Sequence, residues 1–404
     1  MFYRIGFRNV FRQKRRTTFT VLTMFGGFVL SSISVAWMDG SYSNIIDNFT
    51  RTRLGHIQIH QHEYPDRPSL YRTIDGVDSV GAVLDGMARV ESWAPRIYAA
   101  GLASVNDRSA GARIIGIDPT REARTTAFNP QVHRGRPLAR DPAHEALVGE
   151  GLAGRLGADL GDEVVLLSQA ADGSMANDIY TIVGLVDSGD NATNQTSVYL
   201  HLADAQELFV LQNRVHEIVI VSQRPKRLFE LADDITAAIQ RPDLVVEPWQ
   251  VFAKSFYDAM KADEAGNWVT LAILVLMVAV GVLNTVLMSV LERRREYGLL
   301  RAVGTRPQLV MGVVLWEVLV MAVMAVIVGF AAALGINYWM TIKGIPLPMA
   351  LEFAGTTYSH IYAEINVRSY VIPAVTVVAS ALIVAIFPAI RAARTRPAVA
   401  MRTH

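Results

Sequence analysis

Two polar residues inside apolar runs, and one dense charged segment between those runs, are where this chain could do chemistry. Asn284 and Glu317 each stand within a hydrophobic stretch, and ERRREYGLLRAVGTRP at 292–307 separates the two stretches. A carboxylate in hydrocarbon costs about 3 kcal/mol unless it is paired or protonated, so Glu317 is a functional candidate. A proton relay would bring a partner acid, histidine or lysine, and none lies in the apolar runs. The expected role for both residues is a structural hydrogen bond, within a helix bundle or at a dimer seam.

His56, His60 and His62 fall at alternate positions and would share one face of a strand. A metal site can be imagined there, but an exposed polar strand face is the reading adopted, and no metal site is expected. No GxxxxGK[ST] phosphate loop occurs, so ATP is not bound in that manner, and there is no GxSxG elbow or HExxH helix. The chain reads as no enzyme, with no cofactor of its own. Asn48, Asn191 and Asn194 open N-x-Thr triplets that carry little weight, and the absence of cysteine rules out disulfides.

The elements that must position these residues are membrane helices. No ionisable residue falls between Arg16 and Asp39, Glu264 and Glu292, or Arg368 and Arg391, and only Glu317 falls between Arg306 and Lys343. A crossing needs about 20 apolar residues. Spans are therefore expected at 17–38, 266–290, 308–334 and 369–390. The first is too long for a signal-peptide core, although Ser34-Val35-Ala36 has suitably small residues, and it is expected to stay as an anchor.

Basic residues gather on one side of these spans. The pieces 1–16, 292–306 and 391–404 hold 15 basic and 2 acidic residues, whereas the segments on the other side hold 23 basic and 34 acidic. The positive-inside rule makes the first side cytoplasmic, with both termini there. Arg4, Arg8 and Arg12 recur every four residues among Phe2, Ile5 and Phe11, which suits an amphipathic helix over 1–16 in the headgroup layer.

Residues 39–265 form the large outer domain. GHIQIH (55–60), ARIIGI (112–117), EVVLLS (163–168), DIYTIVGLV (178–186), SVYLHL (197–202) and HEIVIVS (216–222) predict strands. Residues 171–174 predict a hairpin turn, and 149–158, 203–211 and 228–240 predict short helices. Phe252, Phe256 and Met260 extend the second span outward, and Ile45, Ile46 and Phe49 extend the first, so paired helical stalks are expected. A periplasmic loop is expected at 335–368. The fold class is an integral membrane α-helical protein with four transmembrane helices and a mixed α+β periplasmic domain between the first two.

Within 291–307, Leu299, Leu300, Ala302 and Val303 form an apolar stretch between charged ends, and Gly304 and Pro307 stop it. A short amphipathic helix on the cytoplasmic surface, ready to dock a protein, fits this pattern. At these residues the chain resembles a known family. NTVLMSVLERRREYGLLRAVGTRP resembles the coupling segment of permeases of the MacB and lipoprotein-releasing (Lol) superfamily, and PAIRAARTRPAVAMR resembles their closing motif. YRIGFRNVFRQKRRTTFT is similar to their opening helix. IIGIDPTRE, HRGRPL, ALVGEGLAGRLGADLGDEVVL and YTIVGLVDSG follow in an order closer to Lol-type permeases than to MacB.

The resemblance implies an ABC-transporter permease of the bacterial inner membrane, working as a pair with itself or with a sister permease. Two copies of a separate ATPase would carry ATP and Mg. It implies that Glu292, Arg293, Arg294, Glu296, Gly298, Arg301, Ala302 and Gly304 form the ATPase-coupling element. ATP-driven motion would pass through the stalks to the periplasmic domain, extracting lipid-anchored cargo for a periplasmic carrier. Membrane lipids are expected partners, and nucleic acid is not. Alternatives are a MacB-like exporter with an adaptor and outer-membrane channel, and an FtsX-like signalling permease, whose outer domain is usually smaller.

Overall fold

The computed structural model describes residues 14–65, 67–353 and 356–395. The helix expected at 1–16 lies outside them except for its last three residues, as does the tail from 396. The chain divides into a helical unit (Met1–Asn44, Met260–Pro346 and His360–His404) and an α/β unit (Ile45–Ala259 and Leu347–Ser359).

Among the described residues, four helices are long and apolar enough to cross a membrane: Lys14–Phe49, Lys254–Glu292, Pro307–Lys343 and Arg368–Ala393. The first three have 36, 39 and 37 residues and outrun the expected spans, because no proline interrupts them past their apolar windows. Gly344, at φ +65°, ends the third, and strands Ile345–Phe353 and Thr356–Ile361 occupy most of the expected loop. The second helix begins only at Lys254, because the backbone breaks at Ala253 and leaves Phe252 in a separate turn, Trp249–Phe252.

In the helical unit, Val278, Val282, Val286 and Val290 form one buried stripe on the second helix, and Ala381, Ala385 and Ala389 form one on the fourth. Four-residue spacing keeps each stripe on one side, and small side chains let backbones approach closely. A Cβ at Gly27 would lie 2.2 Å from Val278, and one at Gly329 would lie 2.7 Å from Phe28. Gly26 and Gly335 face open space instead. Asn337 is buried and donates to Ser32 Oγ at 3.2 Å. Past the apolar windows, the Tyr42 hydroxyl donates to Asp263 at 2.6 Å and accepts from Asn267 at 3.0 Å, joining the first helix to the second.

The α/β unit is built on a mixed sheet. Its order is Leu244–Pro248, Ile57–Gln61, Glu217–Ser222, Val90–Val105, Arg108–Ile117, Ser197–His201, Glu145–Gly149, Met175–Val186 and Val132–Gly135. Glu163–Gln169 pairs off this path with Val90–Val105 and Met175–Val186. Helices Glu150–Leu156 and Leu202–Leu208 pack on Arg108–Ile117, and Leu228–Ile239 packs on Leu244–Pro248. Residues 171–174 form the expected turn between antiparallel partners. Phe49 stacks on Phe256 with ring centroids 3.9 Å apart, an aromatic contact between the two stalk sequences.

The histidine face is buried, not exposed. His56 and His60 are 0% and 1% exposed, and the His60 ring packs against Tyr64 and Phe252. His62 lies beyond the strand and is exposed, so the three do not converge, and no metal-binding group of three occurs among the described residues. His56 Nδ1 accepts from the Ser222 amide at 3.0 Å, and His60 Nε2 meets Gln58 Oε1 at 3.1 Å. Burial holds His56, His60 and His216 neutral, each pushed down from 6.5 to about 4. Between those values the unfolded chain binds protons that the folded unit refuses. Stability is therefore lost as pH falls from 6.5 toward 4, by up to ~1.4 kcal/mol per pH unit per histidine. The guanidinium midpoint of the α/β unit, followed by fluorescence in the detergent-solubilised chain, should drop between pH 7 and pH 5. A flat midpoint, or one that rises on acidification, would contradict this burial.

Candidate functional site

Arg293 leaves helical geometry (φ −94°, ψ 16°), and a separate short helix, Arg294–Ala302, follows the second long helix. Its end is fixed by a paired cap: Thr305 N–H donates to the Leu300 carbonyl and Gly304 N–H to the Arg301 carbonyl, both at 3.1 Å. Gly304 takes φ +93°, which only glycine adopts cheaply, and Pro307 then opens the third long helix.

The short helix has two distinct faces. Tyr297 and Gly298 are buried, while Leu299, Leu300 and Val303 are exposed, Val303 at 87%. Glu292, Arg294, Arg295, Glu296 and Ala302 are also exposed, so an apolar patch is rimmed by charge. Arg301 is half-buried and donates to the Thr305 carbonyl at 2.8 Å.

Arg293 is turned inward. Its guanidinium meets Glu317 at 3.0 Å and donates through Nε to Glu296 at 2.9 Å, and it lies 5.3 Å from the Tyr297 ring centre. The Arg293 and Glu317 side chains are 9% and 12% exposed. The sequence showed no partner for Glu317 within the spans. The partner comes from beyond them, because an arginine stem is long enough to carry its charge into the edge of the apolar layer. The structure thus gathers Arg293, Glu296 and Glu317. Asn284 lies apart, exposed on the second helix with no hydrogen-bond partner among the described residues.

A second set of charges was not foreseen. The first long helix runs into a π-helical turn, Thr50–Leu54, whose last carbonyls are each held by a side-chain donor. Gln131 donates to Thr52 at 3.0 Å, Arg96 to Arg53 at 2.6 Å and Gln58 to Leu54 at 2.8 Å. Arg96 is buried among Glu122, Glu217 and Tyr98, with Nε donating to Glu122 at 3.2 Å. Arg53 also pairs with Asp190 at 2.7 Å. The available signal was Arg96 itself, a lone charge within WAPRIYAA, since buried charges are seldom unpaired.

Residues 17–238 match the MacB-like periplasmic core domain, and residues 268–397 match the FtsX-like permease C-terminal family. The chain belongs to the MacB/FtsX family of ABC-transporter permeases. A relative in Neisseria meningitidis serogroup B, the lipoprotein-releasing system transmembrane protein LolC, is 21% identical over 72% of this chain and 73% of its own length. Its namesake in Xylella fastidiosa (strain Temecula1) is 24% identical over 78% of each. Among solved structures, the periplasmic region of MacB from Actinobacillus actinomycetemcomitans is similar with a TM-score of 0.36 and 16% identity. That match covers 49% of this permease and 91% of that chain.

The ion pair has a testable energetic signature. Removing one partner of a buried pair strands the other and costs about 3–5 kcal/mol, whereas an apolar replacement of both is close to neutral. Glu317→Leu and Arg293→Met should each lower thermal stability in detergent, and the double variant should recover most of the loss. Additive losses in the double variant would show that the two side chains are not coupled.

Proposed function

We propose that this permease is the membrane subunit of a transporter whose separate ATPase, in two copies, docks on the exposed face of Arg294–Ala302. The observation that carries this reading is the fastening of that helix. Arg293 and Tyr297 anchor it to the bundle, while Leu299, Leu300 and Val303 point outward with Glu292 and Glu296 at the rim. An exposed apolar patch rimmed by charge is the usual form of a protein contact. Arg293, Gly298 and Gly304 serve by holding and ending the helix; the contact surface is Leu299, Leu300, Ala302 and Val303.

In this reading the chain sits in the bacterial inner membrane with both termini cytoplasmic, and ATP-driven movement of the short helix reaches the outer domain through the paired stalks. The capped end of the first helix, held by Arg96, Gln131 and Gln58, is the fixed point of that domain on its stalk. The relatives named for lipoprotein release support lipid-anchored proteins as cargo. A second copy or a sister permease completes the membrane assembly, and exposed Asn284 suits such a seam.

Depletion with complementation tests this. Loss of the chain should strand lipoproteins in the inner membrane. The Leu299→Asp/Val303→Asp variant should insert normally, yet lose ATPase co-purification by at least about tenfold and fail to restore sorting. Correct sorting without the chain would refute the cargo, and full function in the variant would refute docking through this face.

A further inference from the structure

A cleft of about 620 Å³ opens between the end of the second long helix and the end of the fourth. Its lining includes Leu291, Phe387 and Ile390, followed by Arg294, Arg391 and Arg394. On the fourth helix Phe387 precedes Arg391, and Ile390 precedes Arg394, by four residues on the same side, while Arg294 follows Leu291 across the break at Arg293. At 1.5 Å per residue those two charges sit about 6 Å further along the axis of the fourth helix, just beyond the apolar layer. The cleft is thus graded from apolar to cationic over about the distance between acyl chain and phosphate.

None of these three guanidinium groups has an acidic partner among the described residues, in contrast to Arg293 beside them. The helix dipole explains two of them: Arg391 and Arg394 stand at the C-terminal end of Arg368–Ala393, where cations are favoured. It does not explain Arg294. That residue opens the helix Arg294–Ala302, where the positive end of the dipole opposes a cation. Three unpaired positive groups and a helix start converge on one space, and an anion placed there relieves all of them.

The wall identifies the anion's carrier. Leu291, Phe387 and Ile390 are 42%, 59% and 38% exposed, an apolar surface that a free phosphate leaves uncovered and an acyl chain covers. We propose that this cleft binds an anionic phospholipid of the cytoplasmic leaflet, its phosphate on Arg294, Arg391 and Arg394 and the start of its chains on Leu291, Phe387 and Ile390. Arg294 then serves lipid rather than the ATPase, and the lipid ties the short helix to the end of the fourth helix. The inference rests on the membrane reading of the four helices but needs no ATPase, so its test is separate from that of transport.

The purified full-length chain in a neutral detergent is titrated with dioleoylphosphatidylglycerol, dioleoylphosphatidylcholine or inorganic phosphate, and bound lipid is read by native mass spectrometry. Phosphatidylglycerol should bind one per chain. The Arg294→Gln/Arg391→Gln/Arg394→Gln variant should weaken it roughly 100-fold, as expected for three lost cation contacts. An Arg295→Gln/Arg306→Gln control, which removes exposed arginines outside the cleft, should bind like the unaltered chain. Equal binding by the triple variant, equal affinity for phosphatidylcholine, displacement by inorganic phosphate at comparable concentration, or loss of binding in the control would each overturn the proposal.

Discussion

A carboxylate inside an apolar layer must be met by a cation, and in this permease Glu317 is met by Arg293. That requirement orders this end of the helical unit. Arg293 reaches its partner only by leaving the second long helix, and the chain that leaves with it becomes the helix Arg294–Ala302. With Tyr297 turned inward, helical geometry places Leu299 and Val303 outward. One buried pair thereby decides which face is available to a partner.

The same physics recurs in the α/β unit. Arg96 is buried, is neutralised by Glu122 and Glu217, and spends its remaining donors on the backbone of the turn that ends the first helix. Removing Arg96 would leave two buried carboxyl groups without their shared cation. Such clusters contribute little net stability, but they admit one arrangement and penalise others. At both places a helix end is held by a buried charge.

Much of this architecture is visible in the chain. Intervals holding at most one ionisable residue mark the four long helices, because such a group in hydrocarbon is too costly to be incidental. A run of β-branched residues marks the strand Glu217–Ser222, and Gly304 with Pro307 marks the end of the short helix. What stays hidden is what depends on distant partners. The pairing of Arg293 with Glu317 joins residues 24 positions apart in different helices. The longest strand, Val90–Val105, escapes pattern reading because Pro95 and Ala99-Ala100-Gly101 interrupt its β-branched residues. Alternation placed His56 and His60 on one side of the chain, but it does not say whether that side faces water. Side chains distant in sequence, such as Phe252 against His60, decided that, and they buried it.

The central claim is that Arg293 and Glu317 form an ion pair in the bilayer-embedded protein. Solid-state NMR recoupling between ¹⁵N-labelled arginine and ¹³C-labelled glutamate, with Arg293→Lys as the assignment control, measures it directly in lipid. A carboxylate signal dephased at the separation of a direct contact, matching the N–O distance of 3.0 Å, is the expected result. A Glu317 carbon with the shift of a neutral acid and no dephasing from arginine nitrogen would contradict it.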